Sequence, residues 1–354
     1  MKGLKKWNAV AVFMLLAILA CTAGTSLAAE DKFVKECPPD QIIFSTGVAA
    51  NTFHQGMLNY MQLVPGVICH RTDSRGGNIN VEYLLGLNGD AEAALVPMDV
   101  MEFMRRTNPD VTKLRSICSL WPNALHIIVN KNGYKVSKYW GATKEVRYVS
   151  DFADLENLSI AVFGSPEQSV QLIMERMGKP NFFSEIVVAK DVADGKKRLD
   201  EGKVQAFLVM GGYPISYIND LDPAKFTLAT VDPGLISKLG APYKVVKLNY
   251  PKLGVNGFNT LAAVNEVIVR DYDDPEWVER FIKLYKGFSD NLKKFKQMRG
   301  GHPAWRGVED IDNIYWTPYA PVREYVKQQG KSPVSPAKAE EQPAPAPAPK
   351  PKRR

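Results

Sequence analysis

The chain has 354 residues, 45% of them hydrophobic, with 4 cysteines and a formal net charge of +7; from Pro38 to about Gln328 that is length for two domains of ordinary size. The excess charge sits outside this body, on Lys2, Lys5 and Lys6 at one end and on Lys331, Lys338, Lys350, Lys352, Arg353 and Arg354, against Glu340 and Glu341, at the other. Without those two segments acidic and basic residues balance, which excludes the basic footprint on the domain that nucleic-acid binding requires.

Residues 1–28 read as a secretory signal peptide: the three lysines, an apolar run from Ala9 to Ala20, and the small-residue stretch Ser26-Leu27-Ala28-Ala29, with cleavage near Ala28 or Ala29. The run is shorter than the ~20 apolar residues that span a bilayer. A competing reading takes Ile18-Leu19-Ala20-Cys21 as a lipoprotein processing site, with Cys21 lipidated and kept. Both readings place the mature chain in the periplasm. Cys37, Cys69 and Cys118 remain there, enough for at most one disulfide. Cys69 and Cys118 lie in apolar, strand-like runs and read as buried unpaired thiols. The spacing matches no zinc pattern, and Cys69 and His70 cannot act together, because neighbours on a strand point to opposite faces.

Strands and helices then alternate. Gln41-Ile42-Ile43-Phe44 is a short apolar strand, and Phe53, Met57, Tyr60, Met61 and Val64 recur at helical spacing. Val67-Ile68-Cys69 is the next strand. Ser74-Arg75-Gly76-Gly77 opens a helix whose apolar face is Val81, Leu84 and Leu85 and which Gly89 terminates. In the second half Ile160-Ala161-Val162-Phe163 is the first strand, Ser165 to Ser169 a loop, and Val170, Ile173, Met174 and Met177 a helix stripe that belongs to a core. Both halves close on one phrase: Gly89-Asp90-Ala91-Glu92-Ala93-Ala94-Leu95-Val96 matches Gly202-Lys203-Val204-Gln205-Ala206-Phe207-Leu208-Val209 without a gap. Two similar α/β lobes are expected, with mostly parallel sheets and a ligand beyond the carboxyl ends of their strands. Lobe 1 begins over residues 38–128, lobe 2 takes 129–257, and 258–330 return to lobe 1 with a strand at Asn259 to Val264 and a helix starting at Pro275. Residues 331–354, alternating proline and alanine with terminal basics, form a solvated, extended tail.

Three polar stretches open helices and are the candidate ligand contacts: Ser45, Thr46, Asn51, Thr52 and Phe53; Ser74, Arg75, Gly76 and Asn80; and Glu167, Gln168 and Ser169. First-turn N–H groups are unpaired and suit a polar or anionic ligand, although the same residue types also serve simply as caps. Asp99 and Tyr213-Pro214 reach the same mouth, and Trp121, Tyr213 and Tyr250 could wall a ligand. His126, on an apolar strand, reads as a satisfied core residue.

Ser45-Thr46-Gly47, Ser74 to Asn80, Ala94-Leu95-Val96-Pro97-Met98-Asp99, Trp121 to Val129, Gly211-Gly212-Tyr213-Pro214 and Tyr250-Pro251 together resemble the TAXI-type solute receptors of tripartite ATP-independent periplasmic (TRAP) transporters, over about Gln41 to Gln328. The resemblance implies an α/β, two-lobed type II periplasmic-binding-protein fold with a hinged cleft. It implies no catalysis and no cofactor or metal. The expected activity is capture of a small polar solute, an organic acid or amino acid, and its delivery to an ion-gradient-driven membrane permease. Two loops depart from the pattern. Val48, Ala49, Ala50 and Asn51 stand where the family is rich in glycine, and Ser165-Pro166-Glu167-Gln168-Ser169 replaces Pro-Gly-Ser-Gly-Thr. Glu167 would repel a carboxylate from inside the cleft and is expected to point outward, where it suits the helix dipole. Other readings are a ligand sensor for a signalling receptor, a structural lipoprotein, and a periplasmic enzyme with Asp99 or Glu167 as base. No nucleophile elbow, metal motif or dinucleotide fingerprint supports the enzyme.

Overall fold

A computed structural model describes residues 37–47, 52–74, 76–138, 143–164 and 166–330. The signal segment, Cys21, Asn51, Arg75, Ser165 and the tail lie outside the described residues. The chain begins with β1 (Ile42–Ser45), α1 (Thr52–Leu63), β2 (Ile68–Arg71), α2 (Gly77–Leu84), β3 (Ala93–Pro97) and α3 (Met98–Thr107). A long strand, β4 (Arg115–Asn130), carries it into the second lobe, where a hairpin of β5 (Tyr134–Lys138) and β6 (Thr143–Arg147) comes first. There follow β7 (Ser159–Val162), α4 (Pro166–Arg176), β8 (Glu185–Val188), α5 (Val192–Asp200), β9 (Ala206–Gly211), α6 (Ser216–Asn219), β10 (Phe226–Ala229), α7 (Pro233–Leu239) and β11 (Tyr243–Tyr250). A second long strand, β12 (Val255–Val269), returns to the first lobe, which α8 (Pro275–Gln297) and α9 (Ala320–Gln328) complete.

Ten strands form one curled sheet in the order β2-β1-β3-β12-β4-β9-β7-β8, with β10 beside β4 and β11 beside β12. Around the first lobe this reads β2-β1-β3-β12-β4, and around the second β8-β7-β9-β4-β10. In each, three parallel strands are followed by one antiparallel strand borrowed from a long crossing strand. This shared order is the type II arrangement that the resemblance implies. The repeated phrase falls in equivalent places, since β3 starts at Ala93 and β9 at Ala206, each between its lobe's first strand and the antiparallel one. Gly89 has φ 154°, and a Cβ there would lie 2.7 Å from both Arg71 Nη2 and the Tyr83 ring, so glycine is required on two counts.

Lobe 1 packs α1 and α8 on one face of its strands. Phe281, Leu284, Tyr285, Phe288 and Phe295 of α8 meet Phe53, Met57 and Tyr60 of α1 at helical spacing. Asp274 caps α8 by accepting from the N–H groups of Glu276 and Trp277. In lobe 2, Val170, Ile173 and Met174 of α4 pack on Ile160, Val162 and Leu208. The stretch expected to be a loop from Ser165 to Ser169 is corrected: α4 is already helical at Pro166, because proline and an acidic residue both suit the first turn. No helix among the described residues is long and apolar enough to cross a membrane.

The cysteine reading is corrected at one position. Cys37 and Cys69 form a disulfide with Cα atoms 5.8 Å apart, while Cys118 is free and buried. Cys69 lies on the edge strand β2, where a preceding segment can reach it without entering a core. The bridge closes a separation of 32 residues, which on loop-closure entropy stabilises the fold by about 3–4 kcal/mol. Reduction, or Cys37→Ser together with Cys69→Ser, is expected to lower the unfolding free energy in urea by that amount.

Glu266 on β12 is fully buried and accepts the backbone N–H groups of Tyr315 and Trp316, which ties the crossing strand to the segment before α9. Burial pushes its carboxyl up from the ordinary 4.5 to about 7, against the pull of those N–H groups. The unfolded chain therefore loses this proton first. Its contribution to stability is complete below pH 4.5 and is lost as the pH rises through about 7. Urea titrations across this range are expected to show that decline in the wild type and a flatter profile in Glu266→Gln.

Candidate functional site

The two crossing strands meet between the lobes, and register decides which side chains gather there. Tyr243 of β11 stands opposite Ala263 of β12, which stands opposite Asn123 of β4, so these three share one face of the sheet. Asn265 lies two residues further along β12, on that face, opposite Pro97 at the end of β3. Asp99 follows in the first turn of α3, where its Oδ1 accepts from the N–H of Val100 at 2.9 Å. Helix α3 of lobe 1 packs on α4 of lobe 2, and the pair is bridged by an ion pair between Arg106 and Glu175. The packing brings Ser169 of α4 and the phenol of Tyr243 against the Asp99 carboxylate.

Asp99, Ser169 and Tyr243 come together here, and further buried polar atoms lie on the neighbouring strands and on α4. Asp99 Oδ2, Ser169 Oγ, the Tyr243 hydroxyl, Gln168 Oε1, Asn123 Oδ1 and Asn265 Oδ1 are all buried and make no hydrogen bond of ordinary length, although the Ser169 and Tyr243 hydroxyls both face the Asp99 carboxylate. Buried polar atoms in folded proteins are nearly always paired, and leaving one unpaired costs about 1–3 kcal/mol. Asp99 of lobe 1, Ser169 of lobe 2 and Tyr243 of the strands between form a cluster suited to a polar ligand, with Asn123, Asn265 and Gln168 on the adjoining strands and helix. Burial pushes the Asp99 carboxyl above the usual range, opposed by Ser169, the Val100 N–H and, more weakly, Arg176. Burial and the nearby Asp99 raise the Tyr243 hydroxyl well above its ordinary value, so it stays protonated. Arg176, at the far end of α4, donates to the carbonyls of Leu239 and Ala241 and lies 5.6 Å from the centre of the Tyr243 ring. Among the described residues no three His, Cys, Asp or Glu side chains gather as a metal site would need.

The other residues singled out in the sequence divide into three groups. Ser45 and Ser74 both donate to Asn80 Oδ1, at 2.8 and 2.5 Å, and Asn80 Nδ2 donates to the Leu95 carbonyl. This network knits β1, the start of α2 and β3 together, so its polar atoms serve lobe 1 itself. Gly76, at φ 148°, donates its N–H to the Ser74 hydroxyl in the same turn, and Thr46 is buried with its hydroxyl on the Gly47 carbonyl. A second group holds the lobes against each other. Thr52 Oγ1 donates to the Gly212 carbonyl across the seam at 3.1 Å. Trp121 is packed beside Gly56 and Gly212 and meets Trp305 edge-on at 4.8 Å, while Phe53 belongs to the lobe 1 core.

The third group organises the Tyr213-Pro214 loop. His126 Nδ1 donates to the Ala124 carbonyl at 3.0 Å, so its Nε2 accepts from the Tyr250 hydroxyl at 2.8 Å. The same Tyr250 oxygen accepts from the N–H of Ile215, fixing the residue after Pro214. Burial drives the His126 pKa down to about 3, which keeps the neutral ring this chain of bonds requires. His126 is thus the satisfied core residue it was read as, and Tyr250 supports the loop from behind. Tyr213 is half-buried against the lobe 2 core, and Glu167 is partly exposed in the first turn of α4. Sequence reasoning missed Tyr243, Asn123 and Asn265 as site residues. The asparagines interrupt otherwise apolar strands, and that interruption was the available signal.

The seam is tight at Gly212. A Cβ there would lie 2.5 Å from Thr52 Cγ2 and 2.7 Å from Trp121 Cδ1, so a methyl group must push the lobes apart or displace the indole. Gly212→Ala is expected to cost about 1–3 kcal/mol in thermal or urea unfolding, and to raise the radius of gyration measured by small-angle scattering.

The sequence pattern of the NMT1-like family matches residues 61–315. Among curated proteins no sequence matches the chain. Several solved structures are similar in shape. Tv2483 bound to L-arginine gives a TM-score of 0.45 at 10% identity, covering 74% of this chain and 92% of that one. A protein from Bordetella bronchiseptica RB50 gives 0.45 at 12% identity, with 85% and 86% covered. The substrate-binding protein of an amino acid ABC transporter gives 0.40 at 11% identity, with 72% and 94% covered.

Proposed function

The chain belongs to the NMT1-like family, and we propose that it is a non-catalytic, extracytoplasmic receptor whose lobes close on a small polar solute, an organic acid or amino acid. The observation that carries this reading is the set of unpartnered buried polar atoms contributed by Asp99 of lobe 1, Gln168 and Ser169 of lobe 2, and the strands that connect them. A ligand that pairs these atoms binds the closed arrangement more tightly than the open one and shifts the population toward it. A membrane partner can then distinguish loaded from empty receptor by lobe position. The TAXI-like motifs point to an ion-gradient-driven permease of the TRAP type as that partner. The signal-like segment at residues 1–28 and the Cys37–Cys69 bridge both suit the oxidising periplasm.

The test is native mass spectrometry of the purified chain, for ligand carried through purification, followed by thermal-shift screening with amino acids and organic acids. The expected outcome is a retained small mass, or a rise in Tm of several degrees with a subset of the panel. A ligand at 100 times its Kd stabilises by about 2.7 kcal/mol. An empty spectrum together with a flat panel would refute the receptor reading.

A further inference from the structure

The unpartnered atoms at the seam are chemically lopsided. Two cannot be reassigned by rotating an amide. Asp99 Oδ2 belongs to a carboxylate whose other oxygen is occupied by the Val100 N–H, and Asn265 Oδ1 is fixed as oxygen because Nδ2 donates to the Trp121 carbonyl at 2.9 Å. Both side chains are fully buried, at 0% exposure. Gln168 Oε1 and Asn123 Oδ1 add two more acceptors, and the Ser169 and Tyr243 hydroxyls can turn either way. Among the described residues Asp99 has no ion-pair partner. Arg176, the cation that acts on it from a distance, spends its Nη1 on the Leu239 and Ala241 carbonyls and keeps a buried Nε–H without a partner at the far end of α4. A carboxyl buried this completely either keeps its proton or takes a positive partner, and a cationic ligand supplies the second. A negatively charged group placed against Asp99 Oδ2 and Asn265 Oδ1 would instead face two fixed oxygen acceptors in a buried site.

We infer that the solute presents a positively charged N–H group, an ammonium or amidinium, to Asp99 Oδ2, with the Asn265 carbonyl oxygen and the Ser169 and Tyr243 hydroxyls receiving its remaining polar contacts. The inference rests on the receptor reading and narrows it: amino acids and amines fit this seam, and simple organic acids do not. Charge-assisted hydrogen bonds of this kind are the strong ones in recognition.

Matched probes that differ only by an ammonium group test it on the full chain: L-glutamate against glutarate, L-alanine against propionate, and L-norleucine against hexanoate, titrated calorimetrically. The ammonium-bearing member of at least one pair is expected to bind on the order of 100-fold more tightly than its partner. Asp99→Asn, which preserves shape and removes the charge, is expected to erase that preference. Should that variant fold poorly, Tyr243→Phe gives an independent check, because it removes the hydroxyl that lies against Asp99 and is expected to weaken the ammonium-bearing probe about tenfold while leaving its partner little changed. Equal binding within every pair, or preference for the members lacking nitrogen, overturns the inference and leaves a receptor for organic acids standing. Silence of every pair in the wild type, with no ligand in the native mass spectrum, removes the receptor reading along with it.

Discussion

The antiparallel pairing of β4 with β12 is the constraint on which the rest of the molecule depends. Each strand is long enough to serve two sheets. The first half of β4 and the second half of β12 complete lobe 1, and the second half of β4 and the first half of β12 lie in lobe 2. Side chains along the interior of β4 are buried throughout, so neither lobe can form its core without the strand it shares with the other. Linker flexibility of the usual kind has no part here. Relative motion of the lobes must come from twisting two paired strands, where the register between them already shifts near Val264 and Glu266.

The same pairing explains why polar groups occur where they do. A sheet that passes between two cores must have a stretch belonging fully to neither, and Asn123 and Asn265 occupy that stretch between apolar neighbours on either side. Asparagine there costs free energy unless something pairs its amide. Asn265 solves half of this internally, through the Trp121 carbonyl, and the other half remains open. Stability has been left incomplete at a place where both lobes can supply the missing contact, and folded proteins depart from local optimality in this way at functional sites.

Much of the architecture was legible in the sequence because it is written locally. The repeated phrase leads into β3 and β9 at equivalent places, since glycine, alanine and the apolar pair obey turn and strand preferences that act over a few positions, although the helix expected to end at Gly89 already ends at Leu84. The site was less legible, for reasons that differ by residue. Ser45, Ser74 and Asn80 carry the pattern of a ligand-binding loop, yet they bond to each other. A hydroxyl at a helix start reads the same whether it faces a ligand or a neighbouring loop. Tyr243 meets Asp99 only because three strands align in register, and register is invisible to a pass along one strand. Cys69 was misread because its partner lies 32 residues away, outside any strand or helix.

The serine–asparagine network of lobe 1 has a consequence for how such a protein diversifies. Residues that keep the lobe folded spend their hydrogen bonds on one another, while Gln168 Oε1, Ser169 Oγ and Asn123 Oδ1 make no ordinary hydrogen bond that the fold depends on. Scaffold and recognition are therefore written in separate residues. Under the proposed receptor function, changes at Gln168, Ser169 or Asn123 alter recognition without drawing on the free energy that keeps β1, α2 and β3 together. On that proposed function, a lineage built this way can keep its architecture through long divergence while its ligand changes, which fits a chain whose fold follows a pattern that its helix-opening loops no longer match.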